Sequence, residues 1–253
     1  MYAIERRRWI VDLARRAGRV EVQQVCDELA VAPETVRRDL NELERQGQLR
    51  RVHGGAVPVE GLGFEGELTA RSSARAAEKD RIADAALAVV GGADSVFIDE
   101  GSTVAALAER LHPDRPLTVV TSALAVASRI ASRPRLQVLQ LGGRVRPHAL
   151  GCVDHWAVRM LEDLVLDVAV LGTNGVSAQH GLTCPDPHVA AVKAAAVRAG
   201  RRRILLADHT KFGVDSFCRF ATVKELDTVV TDRTSSNDHL KAVQDAGVEV
   251  VSA

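Results

Sequence analysis

Residues 33 to 56, PETVRRDLNELERQGQLRRVHGGA, set a charged helical segment directly before a short basic strand and a Gly-Gly turn. Val36, Leu40 and Leu43 recur at three- and four-residue spacing, whereas Thr35, Arg37, Arg38, Asn41 and Arg45 fall on other faces, so one side packs and the other meets solvent or DNA. Pro33 suits the first helical position, where its missing N–H would have had no partner, and Gly47 suits the left-handed position just past the end. Upstream, Ile10, Leu13 and Ala14 form one apolar stripe ending near Gly18, and Val22, Val25, Cys26 and Leu29 form a second. Three short helices of this kind share one small core. Downstream, Leu49 to Val52 alternates apolar and basic residues and reaches His53-Gly54-Gly55, where the glycines allow reversal into Ala56-Val57, a hairpin wing. The order predicts a winged helix-turn-helix. A helix lying in the major groove offers its N-terminal side chains to base edges while flanking cations neutralise phosphate. Position assigns Thr35 and Arg37 to the groove, and Arg38, Arg50, Arg51 and His53 to backbone or wing contacts with double-stranded DNA.

Working outward, a chain of 253 residues, 46% hydrophobic and 26% charged, has room for this small module plus one large core. Net charge is zero, but residues 1 to 58 carry eleven arginines against nine acidic residues, a slight positive bias that supports nucleic-acid binding weakly. Cys26, Cys152, Cys184 and Cys218 lie far apart, with neither zinc-ligand spacing nor a dense disulfide framework, which reads as a reduced, cytoplasmic protein. No apolar run reaches the roughly 20 residues that cross a bilayer, so no membrane partner is expected. Pro58 to Gly66, PVEGLGFEG, is glycine-rich and reads as a linker. The expected organisation is a DNA-binding domain over 1–58, a linker over 59–70 and an α/β domain over 71–253.

In that larger part, β-branched runs at Ser95 to Ile98, Thr118 to Val120, Leu136 to Leu141, Val168 to Leu171, Ile204 to Ala207, Thr228 to Val230 and Val248 to Val251 alternate with helical segments. The helices are expected at Lys79 to Val90, Thr103 to Arg110, Ala123 to Ala131, Trp156 to Leu164, Val189 to Ala199 and Asp238 to Ala246. Wholly apolar strands separated by helices predict an α/β fold with a doubly wound, mostly parallel sheet covered on both faces. Asp99-Glu100-Gly101-Ser102-Thr103, Thr121-Ser122, Gly142-Gly143, Gly172 to Gly175, Asp208 and Thr231-Asp232 each follow the carboxyl end of a strand, the edge along which such sheets bind ligands. Gly101 admits close backbone approach, Ser102 and Thr103 can donate, and the helix that follows presents free N–H groups to an anion. Lys193 and Lys211 can add full positive charge, so a small phosphorylated ligand fits these groups. His148, His155, His180 and His188 match no common metal-ligand spacing, and neither a metal nor another cofactor is expected.

In Glu5-Arg6-Arg7, Thr35 to Leu40, Arg51 to Ala56, Ile98 to Thr103, Thr121-Ser122, Leu141 to Gly143, Gly175, Gly181 to Thr183, Pro185-Asp186, Lys193 and Ala207 to Gly213, the chain closely resembles the DeoR family of bacterial sugar-responsive transcriptional regulators. The resemblance runs nearly end to end. It implies a repressor, usually a homo-oligomer such as a homodimer or homotetramer, on repeated or palindromic operators. It also implies a sensor domain similar to ribose-5-phosphate isomerase that binds a phosphorylated sugar or related metabolite. The effector-contacting residues expected on this reading are Asp99, Gly101, Ser102, Thr103, Thr121, Ser122, Gly142, Gly143, Gly175, Asp186, Lys193, Asp208 and Lys211. Two departures stand out. Ala32 and Pro33 replace the serine that usually precedes the recognition helix, removing a cap worth about 1 kcal/mol. Val189 occupies a position where the family often has glutamate. A sugar-phosphate isomerase-like enzyme with an accessory DNA-binding module stays open as the alternative, with Asp99, Glu100, Asp186 or Asp208 as its general base. An activator, or a regulator without a ligand, is a third possibility.

Overall fold

The computed structural model describes residues 2–45, 48–52, 54–58, 75–147, 149–232 and 238–253, with Arg15, Arg16 and Arg50 described by backbone alone. Gly47, His53, His148 and the proposed linker beyond Pro58 therefore lie outside the described residues. The chain divides into two compact units, Met1–Ala74 and Arg75–Ala253.

In the first unit, α1 (Ala3–Ala17), α2 (Val22–Leu29) and α3 (Pro33–Arg45) follow in the expected order. Ile10, Ala14, Val25, Val36, Leu40 and Leu43 close on one another with Leu49 and Ala56 in a single apolar core. Each large aliphatic buried there contributes about 1.5–3 kcal/mol relative to exposure. With no side-chain cap at Ala32, its backbone carbonyl accepts from Thr35 N at 2.9 Å and Val36 N at 3.3 Å to open α3. The wing is the antiparallel pair β2 (Leu49–Val52) and β3 (Gly55–Pro58). A third strand, β1 (Val20–Glu21), pairs with β3 and escapes the sequence reading because two residues carry no period. Gly55 makes this pairing possible: a Cβ there would lie 2.0 Å from the Val20 carbonyl oxygen.

The second unit is built on a seven-stranded sheet in which every pairing is parallel. Its strands, in spatial order, are β15 (Glu249–Ser252), β14 (Thr228–Thr231), β12 (Gly200–Leu206), β9 (Leu166–Leu171), β4 (Ser95–Ile98), β5 (Leu117–Thr121) and β6 (Leu136–Gln140). All seven coincide with the strands expected from sequence. The period-2 alternation of a strand sorts their side chains. Val96, Ile98, Val119, Val168, Val170, Ile204, Leu206 and Val230 pack on one face against α4 (Ala76–Val90), α5 (Ser102–Arg110) and α6 (Leu124–Ile130). Phe97, Val120, Ala169, Leu171, Leu205 and Val229 pack on the other against α7 (His155–Glu162), α8 (Pro187–Ala199) and α9 (Asp238–Asp245).

From β4 the chain winds outward through β5 to β6, then returns to β9 on the other side of β4 and winds away through β12, β14 and β15. The order reverses between β4 and β9, and the carboxyl ends of those strands frame the crevice that doubly wound sheets use for ligands. Two antiparallel additions were not anticipated. One is a ribbon of β7 (Arg144–Val145) with β8 (Cys152–Val153); the other is a small sheet ordered β10 (Gly175–Ser177), β11 (Gly181–Cys184), β13 (Cys218–Ala221). Among the described residues no helix is long and apolar enough to cross a membrane.

Candidate functional site

On the recognition helix, Arg37 and Arg38 are exposed and Thr35 is half-buried. Arg37 leans on Glu34 at 3.2 Å, an exposed pair worth little against a phosphate or base, while Arg38 forms no ion pair among the described residues. Arg51 is placed differently from expectation. Its Nη1 donates to Asn41 Oδ1 at 2.5 Å and to the Arg37 carbonyl at 3.3 Å, and its backbone N–H donates to Glu44 at 2.8 Å. The guanidinium thus struts the wing against α3. Asp39, on the opposite side of α3, is buried and accepts from Arg6 Nε of α1 at 2.5 Å, with Arg7 Nε at 3.6 Å. This pair ties α3 to α1 and gives two of the three arginines in the first turns of α1 a carboxylate partner. Arg50 is described by backbone only, and nothing is described of His53.

At the carboxyl edge of the large sheet, Asp99 and Lys193, 1% and 4% exposed, meet each other rather than standing as open ligand groups. Lys193 Nζ donates to Asp99 Oδ2 and, at 3.0 Å, to the Gly172 carbonyl. Asp99 also accepts from the Glu100 N–H at 2.8 Å and the Gly172 N–H at 2.9 Å, so its charge ties the end of β4 to the end of β9 across the reversal. Burial works to lower the Lys193 pKa, yet the Asp99 carboxylate, together with Cys184 and Glu100, outweighs it and holds the ammonium above its ordinary value.

Beside this pair, Gly101 enters α5 at φ 129°, a conformation that side chains resist, and the first turn of α5 leaves the N–H groups of Ser102, Thr103 and Val104 without helical partners. Thr121 and Ser122 are fully buried; Thr121 Oγ1 accepts from Ala123 N at 3.0 Å, whereas Ser122 Oγ finds no hydrogen-bond partner among the described residues. Over the ends of β4 and β5 lies the segment between β7 and β8. Ser122 O accepts from Cys152 N at 2.8 Å and Leu150 O accepts from Leu124 N at 2.8 Å. Arg146, from that segment, donates to Glu100 Oε1 at 2.6 Å and lies 3.6 Å from Asp186 Oδ2. Gly151 permits this closeness, since a Cβ would fall 1.5 Å from Glu100 Oε2.

The remaining expected residues separate. Asp186 caps α8, accepting from His188 N at 2.8 Å and Val189 N at 3.3 Å, and Val189 itself is buried in the apolar core while His188 is exposed. The position the family often gives to glutamate is therefore an interior contact here. Gly175 packs under backbone, with a Cβ placed 2.2 Å from the Val214 carbonyl oxygen. Gly142 and Gly143 line an open cleft of about 500 Å³ with Arg144, Asp154, Trp156 and Met160, at the β6 end of the sheet. At the end of β12, Asp208 Oδ1 accepts from Thr210 N at 3.0 Å and from its hydroxyl. Burial would raise the Asp208 pKa, but Thr210, the Lys211 charge and Arg75 together hold it below the ordinary carboxylate range. Lys211 forms no ion pair among the described residues and is half-buried. Next to it, His209 Nδ1 meets Asp232 Oδ2 at 2.7 Å.

Chemically, the four carboxylates open to a general-base role are each committed: Asp99 to Lys193, Glu100 to Arg146, Asp186 to a helix cap and Asp208 to Thr210. Among the described residues, the donors at this edge left without a protein partner include the α5 first turn, the buried Ser122 hydroxyl and Lys211. Arg146 and the ribbon carrying it were missed in sequence, where a lone arginine in a turn gives no signal beyond its Gly-Gly neighbours.

A groove-reading head and a doubly wound domain with a donor-lined edge define a ligand-responsive DNA-binding protein. The chain belongs to the DeoR family: the DeoR-like helix-turn-helix domain matches residues 6–60 and the DeoR C terminal sensor domain matches residues 74–233. It is 33% identical over 251 residues to the HTH-type transcriptional regulator GlpR of Haloferax volcanii, covering 99% of this chain and 98% of that one. It is 29% identical over 232 residues to the glycerol-3-phosphate regulon repressor of Escherichia coli K12, covering 92% of each. Among solved structures, the ribose 5-phosphate isomerase of Methanocaldococcus jannaschii aligns at 14% identity with a TM-score of 0.39, over 53% of this chain and 52% of the isomerase. The protein is a DNA-binding transcriptional regulator and not an enzyme.

Proposed function

We propose that this protein is a cytoplasmic repressor of carbohydrate-metabolism genes, a homodimer or homotetramer, whose grip on its operator is relieved by a phosphorylated sugar or related metabolite. The DNA-binding domain is assigned to 1–58, the linker to 59–70 and the sensor to 71–253. The observation that carries the reading is a row of donors along the carboxyl edge of the parallel sheet, the first-turn N–H groups of α5 and the buried Ser122 hydroxyl near the reversal of strand order and the Lys211 ammonium past the end of β12, while Asp99, Glu100, Asp186 and Asp208 are each engaged by other groups. A phosphate dianion satisfies donors of this kind, since helix N-termini hold anions by backbone N–H and dipole together. A relative named for a glycerol-3-phosphate regulon supports a phosphorylated effector. Operator contacts are assigned to Thr35 and Arg37 in the groove and Arg38, Arg50 and His53 on the backbone.

Effector and operator must weaken each other by the same factor, because coupling between two binding sites is reciprocal. The test is a fluorescence-anisotropy titration of operator DNA with candidate sugar and polyol phosphates. A tenfold loss of operator affinity corresponds to about 1.4 kcal/mol of coupling, and Lys211→Ala should abolish most of it while leaving effector-free DNA binding unchanged. If no phosphorylated metabolite alters operator affinity, the repressor–inducer reading fails; an increase in affinity would reverse its sign.

A further inference from the structure

Cys184 and Cys218 stand directly opposite each other in the antiparallel pairing of β11 with β13. Both are free thiols. Directly opposed residues in antiparallel strands have Cα atoms about 4.5–5.5 Å apart and side chains on one face. A disulfide needs about 4.4–6.8 Å between Cα atoms, a range that directly opposed residues of this kind fall within. Both side chains pack into the same apolar cluster beneath α8, which places the sulfurs in one environment rather than on separate surfaces. Cys26 sits in α2 of the other unit and Cys152 in the β7–β8 ribbon, and neither has a cysteine opposite it.

We propose that Cys184 and Cys218 form a redox site that closes to an intramolecular disulfide when the folded protein meets a low-molecular-weight disulfide. Their surroundings assign the order of events. Cys218 is partly exposed, so its thiolate attacks one sulfur of the oxidant RSSR; the S–S bond of the oxidant breaks, and RSH leaves with a proton. Cys184 is fully buried, which keeps it from meeting the oxidant directly and leaves it only the second step, and because burial also pushes its thiol up to about 12 that step is the slower one. Its sulfur attacks that of Cys218 in the mixed disulfide while its proton passes to the departing RS⁻. In sum, two protein S–H groups are oxidised by two electrons and one RSSR is reduced to two RSH. The new bond pins β13 to β11 two residues ahead of Asp186, the cap of the helix that carries Lys193.

The test is incubation of the full chain with oxidised glutathione, acid quench, and peptide mapping of the fragments holding residues 184 and 218. The expected product is a glutathione-free Cys184–Cys218 cross-link that dithiothreitol reverses. Cys184→Ser should stop at a glutathione adduct on Cys218, and Cys218→Ser should leave Cys184 as a thiol in the folded protein. Recovery of both cysteines reduced, a lasting adduct on Cys218 in the unmodified chain, or glutathione on Cys184 in Cys218→Ser would each overturn the proposal. The wild-type map decides alone if either variant fails to fold.

Discussion

Replacing Lys193 with Met removes the cation that neutralises Asp99 at the point where the sheet reverses. The side chains are close in length, so packing against Phe220, whose ring centroid lies 5.4 Å from Nζ, changes little. Breaking a buried ion pair by deleting one partner costs about 3–5 kcal/mol. Asp99 keeps two of its three donors, the Glu100 and Gly172 N–H groups, which argues for the lower end of that range, while the Gly172 carbonyl loses its donor and adds about 1 kcal/mol. A net loss of about 3–4 kcal/mol lowers the melting temperature of a domain this size by about 6–16 °C. Calorimetry of the full chain would follow the sensor transition. Because the folded Lys193 pKa is raised, the pair's contribution is fully present below about pH 10.4, the unfolded value, and is lost as pH rises through the folded one. The companion Asp99→Asn/Lys193→Met should recover most of the stability, since no charge is then buried unpaired. A single variant within 1 kcal/mol of wild type, or a double variant worse than the sum of its parts, would refute the reasoning.

In the first unit, Asp39→Ala leaves Arg6 buried without its carboxylate, and about 3 kcal/mol should be lost, read as reduced helicity at moderate urea by circular dichroism; a loss below about 0.5 kcal/mol would contradict a structural role for the Arg6–Asp39 pair. Arg38→Ala should weaken operator binding similarly across sequences and reduce the slope of log affinity against log salt by about 1, measured by anisotropy at several salt concentrations. Arg51→Ala should instead lower the melting temperature through loss of the Asn41 contact, with the salt slope little changed. Asp208 has a depressed folded pKa, so its contribution is present above about pH 3.9 and lost as pH falls through the folded value. Asp208→Asn should flatten that part of the acid-unfolding profile, and an unchanged profile would mean that Thr210 and Lys211 do not stabilise the carboxylate.

Strand positions were legible because a parallel strand buried on both faces must be apolar throughout, and the same alternation that sends Phe97 one way sends Val96 and Ile98 the other. The helices of the head were legible from Val36, Leu40 and Leu43, whose spacing is a property of the segment alone. Pairings were not. Asp99 and Lys193 lie 94 positions apart and Thr183 pairs with Arg219 across a bulge, relations that no local period encodes. Strands of two to four residues such as β7, β8 and β10 take their conformation from the partner they meet rather than from propensity. Arg51 shows the limit from the other side: its contact with Asn41 of α3, ten positions away, has no signal in the sequence of the wing.

The commitment of the edge carboxylates bears on how an anion would be recognised. Had Asp99, Asp186 and Asp208 stood open beside Lys193, they would repel a phosphate dianion as strongly as the lysine attracts it. Instead Asp99 and Lys193 cancel, Arg146 faces Glu100 and Asp186, and Asp208 is held against Thr210 and the Lys211 charge. The proposed effector then meets backbone dipoles and hydroxyls first, with Lys211, which forms no ion pair within 4 Å among the described residues, as the nearby cation. Dipoles at a buried edge are screened far less by salt than exposed charges. Effector affinity should therefore fall only weakly between low and physiological ionic strength, under conditions where operator affinity falls steeply. Matched titrations of each ligand against salt separate the two, and an effector slope as steep as that of DNA would mean that exposed cations, not the α5 turn and Ser122, hold the anion.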